Sequence, residues 1–280
     1  MDFKTGLLLC ALFVGCFALP KPEEDLSKYF DPRDTRIVGG SEAAEGSHPH
    51  MVALHKGLLV SSFFCGGSVV GRRSILTAAH CIDVGSFLPG TLLPSLRATV
   101  GTNRWHIGGQ TYRLSHFITH PEYDFLHIRN DIGLLITDTN IQFSDRVKPV
   151  PLSFEFIPGG EKARLGGWGR IVVGGPIPPT LLELDTTIVV DGDTCVQLAA
   201  EAVPNFPDFS FPDVEPEIHI CALNSVGHGS CNGDSGSALV RVETGEQIGI
   251  VSWGFPCATG DPDVFVRVSA YQDFLSANLV

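Results

Sequence analysis

Lysine is scarce: from Ile37 onward the chain holds three, Lys56, Lys148 and Lys162, against eleven arginines. Arginine keeps its charge at high pH where lysine loses it, so this bias suits alkaline surroundings. Basic residues are few altogether. The chain carries 19 of them against 31 acidic ones, a net charge of -12, which argues against a nucleic-acid partner because little would displace phosphate counterions. No apolar run reaches the roughly 20 residues that a membrane span needs. The one candidate, Gly6 to Ala18 behind Lys4, is shorter and ends on the small residues Cys16 and Ala18. It reads as a secretory signal over 1–18, so an exported chain with no membrane partner is expected. Asn-x-Ser/Thr acceptors are absent, and with them any expected N-glycan. Long helical periodicity is also missing, except at Tyr271 to Leu279.

What is there can build a large core. The 280 residues are 44% hydrophobic, enough for one big domain or two fused lobes. From Met51 the segments are short and rich in β-branched or aromatic residues, as in Cys65 to Val70, Arg97 to Gly101 and Thr111 to Ile118, with Gly and Pro between them. That pattern is antiparallel β. Residues 19–36 are charged, proline-containing and free of cysteine, with little to pack against, and look like a removable propeptide. Of eight cysteines, Cys10 and Cys16 leave with the signal, and the remaining six are an even number in an oxidising compartment. Sequence alone leaves their pairing open. His116 and His120 stand four apart, which on a strand separates them by about 13 Å, too far to share a metal ion.

The chemistry-bearing stretch is Gly233-Asp234-Ser235-Gly236. A serine between two glycines, where the backbone can turn sharply and approach a substrate, suggests a presented nucleophile, although the same residues also make ordinary turns. It needs a base. Upstream stand Thr77-Ala78-Ala79-His80-Cys81 and Asn130-Asp131-Ile132-Gly133-Leu134-Leu135, a histidine among small residues and an aspartate entering an apolar run. A buried carboxylate there would need a partner. The order His, Asp, Ser separates this arrangement from the two other common orders of serine hydrolases.

Through Ile37-Val38-Gly39-Gly40, these three segments, Gly167-Trp168-Gly169 and Ser252-Trp253-Gly254, the chain resembles the chymotrypsin/trypsin family of serine endopeptidases from Ile37 to about Val280. His48-Pro49-His50 and Ser237 after the GDSG motif are similar to insect digestive chymotrypsins. The resemblance implies an all-β fold of two six-stranded antiparallel β-barrels, with the active site between them and a short C-terminal helix. The protease domain would span 37-280, barrel one about 37-150 and barrel two about 151-280. It implies catalytic His80, Asp131 and Ser235, and an oxyanion hole from the N–H groups of Gly233 and Ser235. It pairs Cys65 with Cys81, Cys195 with Cys221 and Cys231 with Cys257. Cleavage after Arg36 by a trypsin-like protease would free the Ile37 ammonium group to pair with Asp234 and complete the site. Calcium-binding relatives use glutamates where the loop from Gly101 to Arg113 has no acidic residue, so neither metal nor cofactor is expected. Protein or peptide substrates, protein protease inhibitors and a monomeric state are the implied partnerships, and the gut lumen the implied setting.

Specificity departs from a simple match. The pocket-floor position that is aspartate in trypsins is Gly229, next to Ser230, while Asp263 stands where most relatives have glycine, as in crustacean collagenolytic proteases. With Ser252, Trp253 and Gly254 on the other wall, the expected preference is for large hydrophobic residues before the scissile bond. Asp263 raises the alternatives of a broad or collagenolytic activity. Two insertions, Ile82 to Ser95 and the stretch between Cys195 and Cys221, flank the cleft in the family. The second carries Phe206, Phe209 and Phe211, either a wall for upstream substrate residues or packing of the loop on its own barrel. The alternative functions are a non-digestive regulatory protease, which would usually bring a cysteine-rich module, or a catalytically silent binding protein, which typically loses Ser or His.

Overall fold

The computed structural model describes residues 37–280 except Leu58, Pro89, Val189 and Val190. The expected signal and propeptide, with Arg36, lie outside the described residues. After the short strand β1 (Ser41–Glu42) come β2 (Met51–Lys56), β3 (Ser62–Val69), β4 (Ser74–Thr77), helix α1 (Ala79–Val84), a small hairpin of β5 (Ser86–Leu88) and β6 (Thr91–Leu92), β7 (Arg97–Val100), β8 (Gln110–Thr119) and β9 (Gly133–Thr137). Strands β2, β3, β4, β9, β8 and β7 close into an antiparallel barrel in that order. The five residues of β9 are all buried, because this strand carries an apolar run rather than an alternating one.

A second set follows: β10 (Lys162–Gly167), β11 (Leu182–Ile188), helix α2 (Gly192–Ala202), β12 (His219–Leu223), β13 (Ala238–Arg241), β14 (Gln247–Gly254) and β15 (Asp263–Arg267). They run in the order β11, β10, β13, β14, β15, β12, and β12 pairs back onto β11, so this ring of six also closes, with β1 added beside β11. Helix α3 (Gln272–Asn278) ends the fold. The two-barrel expectation and the terminal helix are both met.

Two short helices before Tyr271, α1 and α2, carry no long apolar periodicity and are not visible in the sequence. Asp191 caps α2, its carboxylate accepting from the Thr194 N–H at 2.8 Å. The buried face consists of Cys195, Ala199 and Ala202, residues too small to mark a periodic apolar stripe. The Cys195–Cys221 disulfide then fastens the helix to β12. No helix among the described residues is long and apolar enough to cross a membrane.

Each barrel has its own core. Ile157, Ala163, Leu165, Ile220, Leu239, Ile248 and Phe265 fill the second. The first is shared: Val52, Leu54, Ile75, Leu76, Leu134 and Ile136 form one buried cluster with Val266, Val268, Tyr271 and Leu275 from the far end of the chain. Gly133 leaves room for Ile82, since a Cβ there would stand 2.5 Å from the Ile82 Cδ1. His116 lies on β8, and His120, just beyond it, packs edge-on against Tyr271 and Phe274.

Burial lowers the pKa of His50 to about 3 and that of His219 to about 4. The buried Nε2 of His50 has no hydrogen-bond partner among the described residues. Histidines held neutral in the fold take up protons on unfolding, so their stabilisation is complete above about pH 6.5 and is lost as pH falls toward their folded values. Urea midpoints between neutral pH and about pH 4 are expected to fall with acidification, each such group adding a slope of up to about 1.4 kcal/mol per pH unit. His50→Phe should flatten that slope, and an unchanged slope would remove His50 from the account.

Candidate active site

Asp131, fully buried at the mouth of β9, accepts three hydrogen bonds. The backbone N–H of His80 reaches its Oδ1 at 2.8 Å, the His80 Nδ1 lies 2.8 Å from its Oδ2, and the Ser252 hydroxyl donates to the same Oδ2 at 2.6 Å. The residue before it, Asn130, sits at φ 53°, a left-handed conformation that Asn tolerates better than most side chains. Its side chain is held on both sides, donating to the Glu122 carbonyl at 2.8 Å and accepting from the Tyr271 hydroxyl at 3.0 Å. The C-terminal segment thus steadies the turn that aims Asp131.

Burial alone would raise the Asp131 pKa, yet it is lowered: the His80 charge and ring hydrogen bond, the Ser252 hydroxyl and the His80 amide outweigh desolvation. For His80 the balance mirrors this. Burial would lower its pKa, and the Asp131 charge and hydrogen bond raise it above the ordinary value. An imidazole fixed through Nδ1 by a carboxylate leaves Nε2 to exchange a proton.

His80 opens α1 and is half-buried, one residue before Cys81, whose disulfide to Cys65 ties α1 to β3. The sulfurs of Cys65 and Cys81 lie near the imidazole, but bonded to each other they are not thiolate ligands. The serine loop reaches the same place from barrel two. The Gly66 N–H donates to the Ser235 carbonyl at 2.8 Å, and the Thr77 hydroxyl donates to the Gly66 carbonyl at 2.9 Å. Gly236 has φ 81°, and a Cβ on it would collide with Thr77 Oγ1, so only glycine lets the serine loop lie against the segment that leads to His80. Ser235 itself is half-buried. Ser237, the unusual residue of the motif, faces Gly66, and its buried hydroxyl has no partner among the described residues.

Gly233 takes φ 103°, open only to glycine. Among the described residues neither its N–H nor that of Ser235 is given to a backbone or side-chain acceptor, whereas the Asp234 N–H bonds to the Cys231 carbonyl at 3.0 Å. The Asp234 carboxylate is fully buried and accepts from the N–H groups of Gly169, at 2.7 Å, and Cys231, at 3.0 Å. Burial pushes its pKa up to about 7, and no cationic partner stands beside it among the described residues. Val38 passes close by, its carbonyl accepting from the Gly229 N–H at 3.2 Å.

Asp263 opens β15 and pairs in register with Gly254. Its carboxylate stands beside both glycines of the expected pocket: a Cβ on Gly229 would lie 3.2 Å from its Oδ2, and one on Gly254 3.1 Å from its Oδ1. Ser230 gives it both the backbone N–H, at 2.9 Å, and the hydroxyl, at 2.7 Å. Burial pushes its pKa up to about 6 despite these bonds. Trp253 and Gly254 pair with β15 on one edge. The stretch after Cys195 packs inward: Phe206 stacks on Phe255 at 5.8 Å, Phe211 lies 4.6 Å from the same ring, and Phe209 stacks on Phe211 with 61% of its surface exposed. Two of the three rings thus pack on the barrel, as the second reading of that loop expects. The roles of Ser252 beneath Asp131 and of Tyr271 were not foreseen. Neither residue type marks such a role in sequence, because each acts through a contact more than 120 positions away.

A buried carboxylate bonded to an imidazole on one β-barrel, with a glycine-flanked serine on a loop of the other held by its carbonyl to Gly66, is the arrangement of a serine protease of the two-barrel type, although no hydrogen bond joins the Ser235 hydroxyl to His80 among the described residues. The trypsin family model matches residues 37–275. Chymotrypsin-2 of Vespa crabro is 36% identical over 243 residues, 86% of this chain and 99% of that protein. Hypodermin-A of Hypoderma lineatum is 32% identical over 98% of both chains, and trypsin delta of Drosophila melanogaster is 30% identical over 88% of this chain and 89% of its own. The chain belongs to the trypsin family of serine proteases.

Asp131→Asn removes the charge that offsets desolvation of His80. Its imidazole pKa, followed by NMR, is expected to move from above the ordinary value of about 6.5 to below it. Retention of the high value would mean that another group supplies the cation's partner.

Proposed function

We propose that this protein is a secreted digestive endopeptidase, made as a zymogen and cleaved after Arg36. In this reading His80 takes the proton from the Ser235 hydroxyl as it attacks the peptide carbonyl and returns it to the leaving amine. Asp131 holds the imidazole tautomer and stabilises its cation. The N–H groups of Gly233 and Ser235 receive the negative oxygen of the tetrahedral intermediate, where one donor is worth roughly 3–4 kcal/mol. The observation that carries this is the hydrogen-bonded Asp131–His80 pair on barrel one, with the Ser235 loop from barrel two bonded to Gly66 beside it. Labelling of the cleaved protein by a fluorophosphonate is expected at Ser235 and absent in Ser235→Ala. No label on the cleaved natural chain would leave a silent, protease-like binding protein.

Activation follows from Asp234. Its pKa of about 7 in the continuous chain means that the associated stabilisation is complete below the ordinary value of about 3.8 and is lost as pH rises through about 7. A freed Ile37 ammonium group supplies the missing cation. Above pH 7 the cleaved protein is therefore expected to melt at a higher temperature than an uncleaved Arg36→Gln chain, with the gap narrowing in acid. Equal melting at all pH values would contradict the pairing.

The primary pocket takes large hydrophobic side chains first, since burying an aromatic ring against Gly229 and Gly254, above the Asp263 carboxylate, contributes several kcal/mol. Asp263 at its base adds a second rank of basic residues, which broadens cleavage toward the collagenolytic type. A carboxyl group with a pKa of about 6 is neutral below that value and charged above it. For matched peptides differing only at Arg or Phe before the scissile bond, the ratio of kcat/KM for Arg to that for Phe should rise as pH rises through about 6. Asp263→Asn should abolish the rise, and a pH-independent ratio in the natural chain would overturn the assignment.

A further inference from the structure

The insertion after α1 does more than border the catalytic cleft. It folds as the β5–β6 hairpin and returns to the barrel through Leu93, whose N–H donates to the Gly85 carbonyl at 2.8 Å. Between this return and β8 lies a cavity of about 400 Å³, within the size range of small-ligand sites. Its walls include Leu92, Leu93 and Pro94 on the insertion side and Leu114 and Phe117 on the strand side. Leu92, Leu114 and Phe117 rest on the core of barrel one, so the floor is apolar and fixed.

The rim is cationic. Arg97 of β7 and Arg113 of β8 are direct cross-strand partners, and both line the cavity together with His116. Like charges directly opposite on one face of a sheet repel and are ordinarily selected against. Here neither arginine has an acidic partner: among the described residues the arginine ion pairs are made by Arg129, Arg146, Arg164 and Arg241. Among the described residues no acidic one lines the cavity either, in a chain whose net charge is -12. The Arg97 guanidinium is held in place by the carbonyls of Pro94 and Leu96, at 2.8 and 2.7 Å, while Arg113 is exposed.

We infer that this cavity binds a small amphiphilic anion, a carboxylate or sulfate headgroup between Arg97 and Arg113 with a short apolar tail against Leu92, Leu114 and Phe117. The repelling pair and the apolar floor are then explained together, since one ligand neutralises the first and covers the second. The site is separate from the candidate catalytic pocket and does not depend on its assignment.

Calorimetric titration of the intact chain with octanoate, octyl sulfate and octyltrimethylammonium tests it. Both anions should bind one to one and more weakly in high salt, and the cation should not bind. Arg97→Gln and Arg113→Gln should each weaken octanoate about tenfold or more, as expected for loss of a charge-assisted hydrogen bond. Asp263→Asn should leave octanoate binding unchanged, which separates this cavity from the primary pocket. Thermal midpoints report folding, and if Arg97→Gln disturbs its loop the exposed Arg113 carries the test. Absence of saturable anion binding at millimolar concentration, equal binding of the cation, indifference to Arg113→Gln, or loss in Asp263→Asn would each overturn the inference.

Discussion

One carboxylate with no access to solvent, Asp131, joins the halves of this molecule. It comes from barrel one, yet one of its three donors is Ser252, on β14 of barrel two. An ionised carboxylate in such a place is tolerable only when its lone pairs are occupied. Folding therefore has to bring the strand carrying Ser252 to within hydrogen-bonding distance. In the proposed reading the next two residues of that strand, Trp253 and Gly254, line the primary pocket. The electrostatic need of the buried group and the positioning of the specificity wall are met by the same approach of the two barrels.

The other half of the site rests on the opposite condition. Asp234 and Asp263 are buried carboxyl groups with no cationic partner among the described residues, and both are pushed toward neutrality by desolvation. Each is surrounded by N–H or hydroxyl donors at a fixed place, Gly169 and Cys231 for one and Ser230 for the other. Such groups are poised to respond to an incoming positive charge, and their burial close together strengthens each one's demand for it. In the proposed reading the first charge is the chain's own new terminus and the second belongs to a substrate. The pocket and the activation device are thus variants of one physical arrangement.

Much of this could be read from the residues. Strands β3, β7 and β8 follow the β-branched and aromatic stretches, the terminal helix lies within one residue of its apolar spacing at each end, and the three disulfides are those implied by the family resemblance. The segments around His80, Asp131 and Ser235 were legible because glycine and small residues crowd them. Helix α2 was not, since its buried face is made of Cys195, Ala199 and Ala202, and periodicity is seen in large side chains. Ser252 and Tyr271 escaped as well: a hydroxyl that matters through a partner on another element leaves no local trace. The arginine pair at Arg97 and Arg113 was equally hidden, because only strand register reveals that they are neighbours.

The core of barrel one includes Val266, Val268, Tyr271 and Leu275, although its own strands end at Thr137. During synthesis the amino-terminal half therefore leaves the ribosome with an apolar surface still uncovered, and it stays so until the whole second half has been made. Domains commonly fold as they emerge, but here the first lobe cannot finish ahead of the second. The two halves mature as a single cooperative unit, and the first lobe stays incompletely buried for as long as translation lasts.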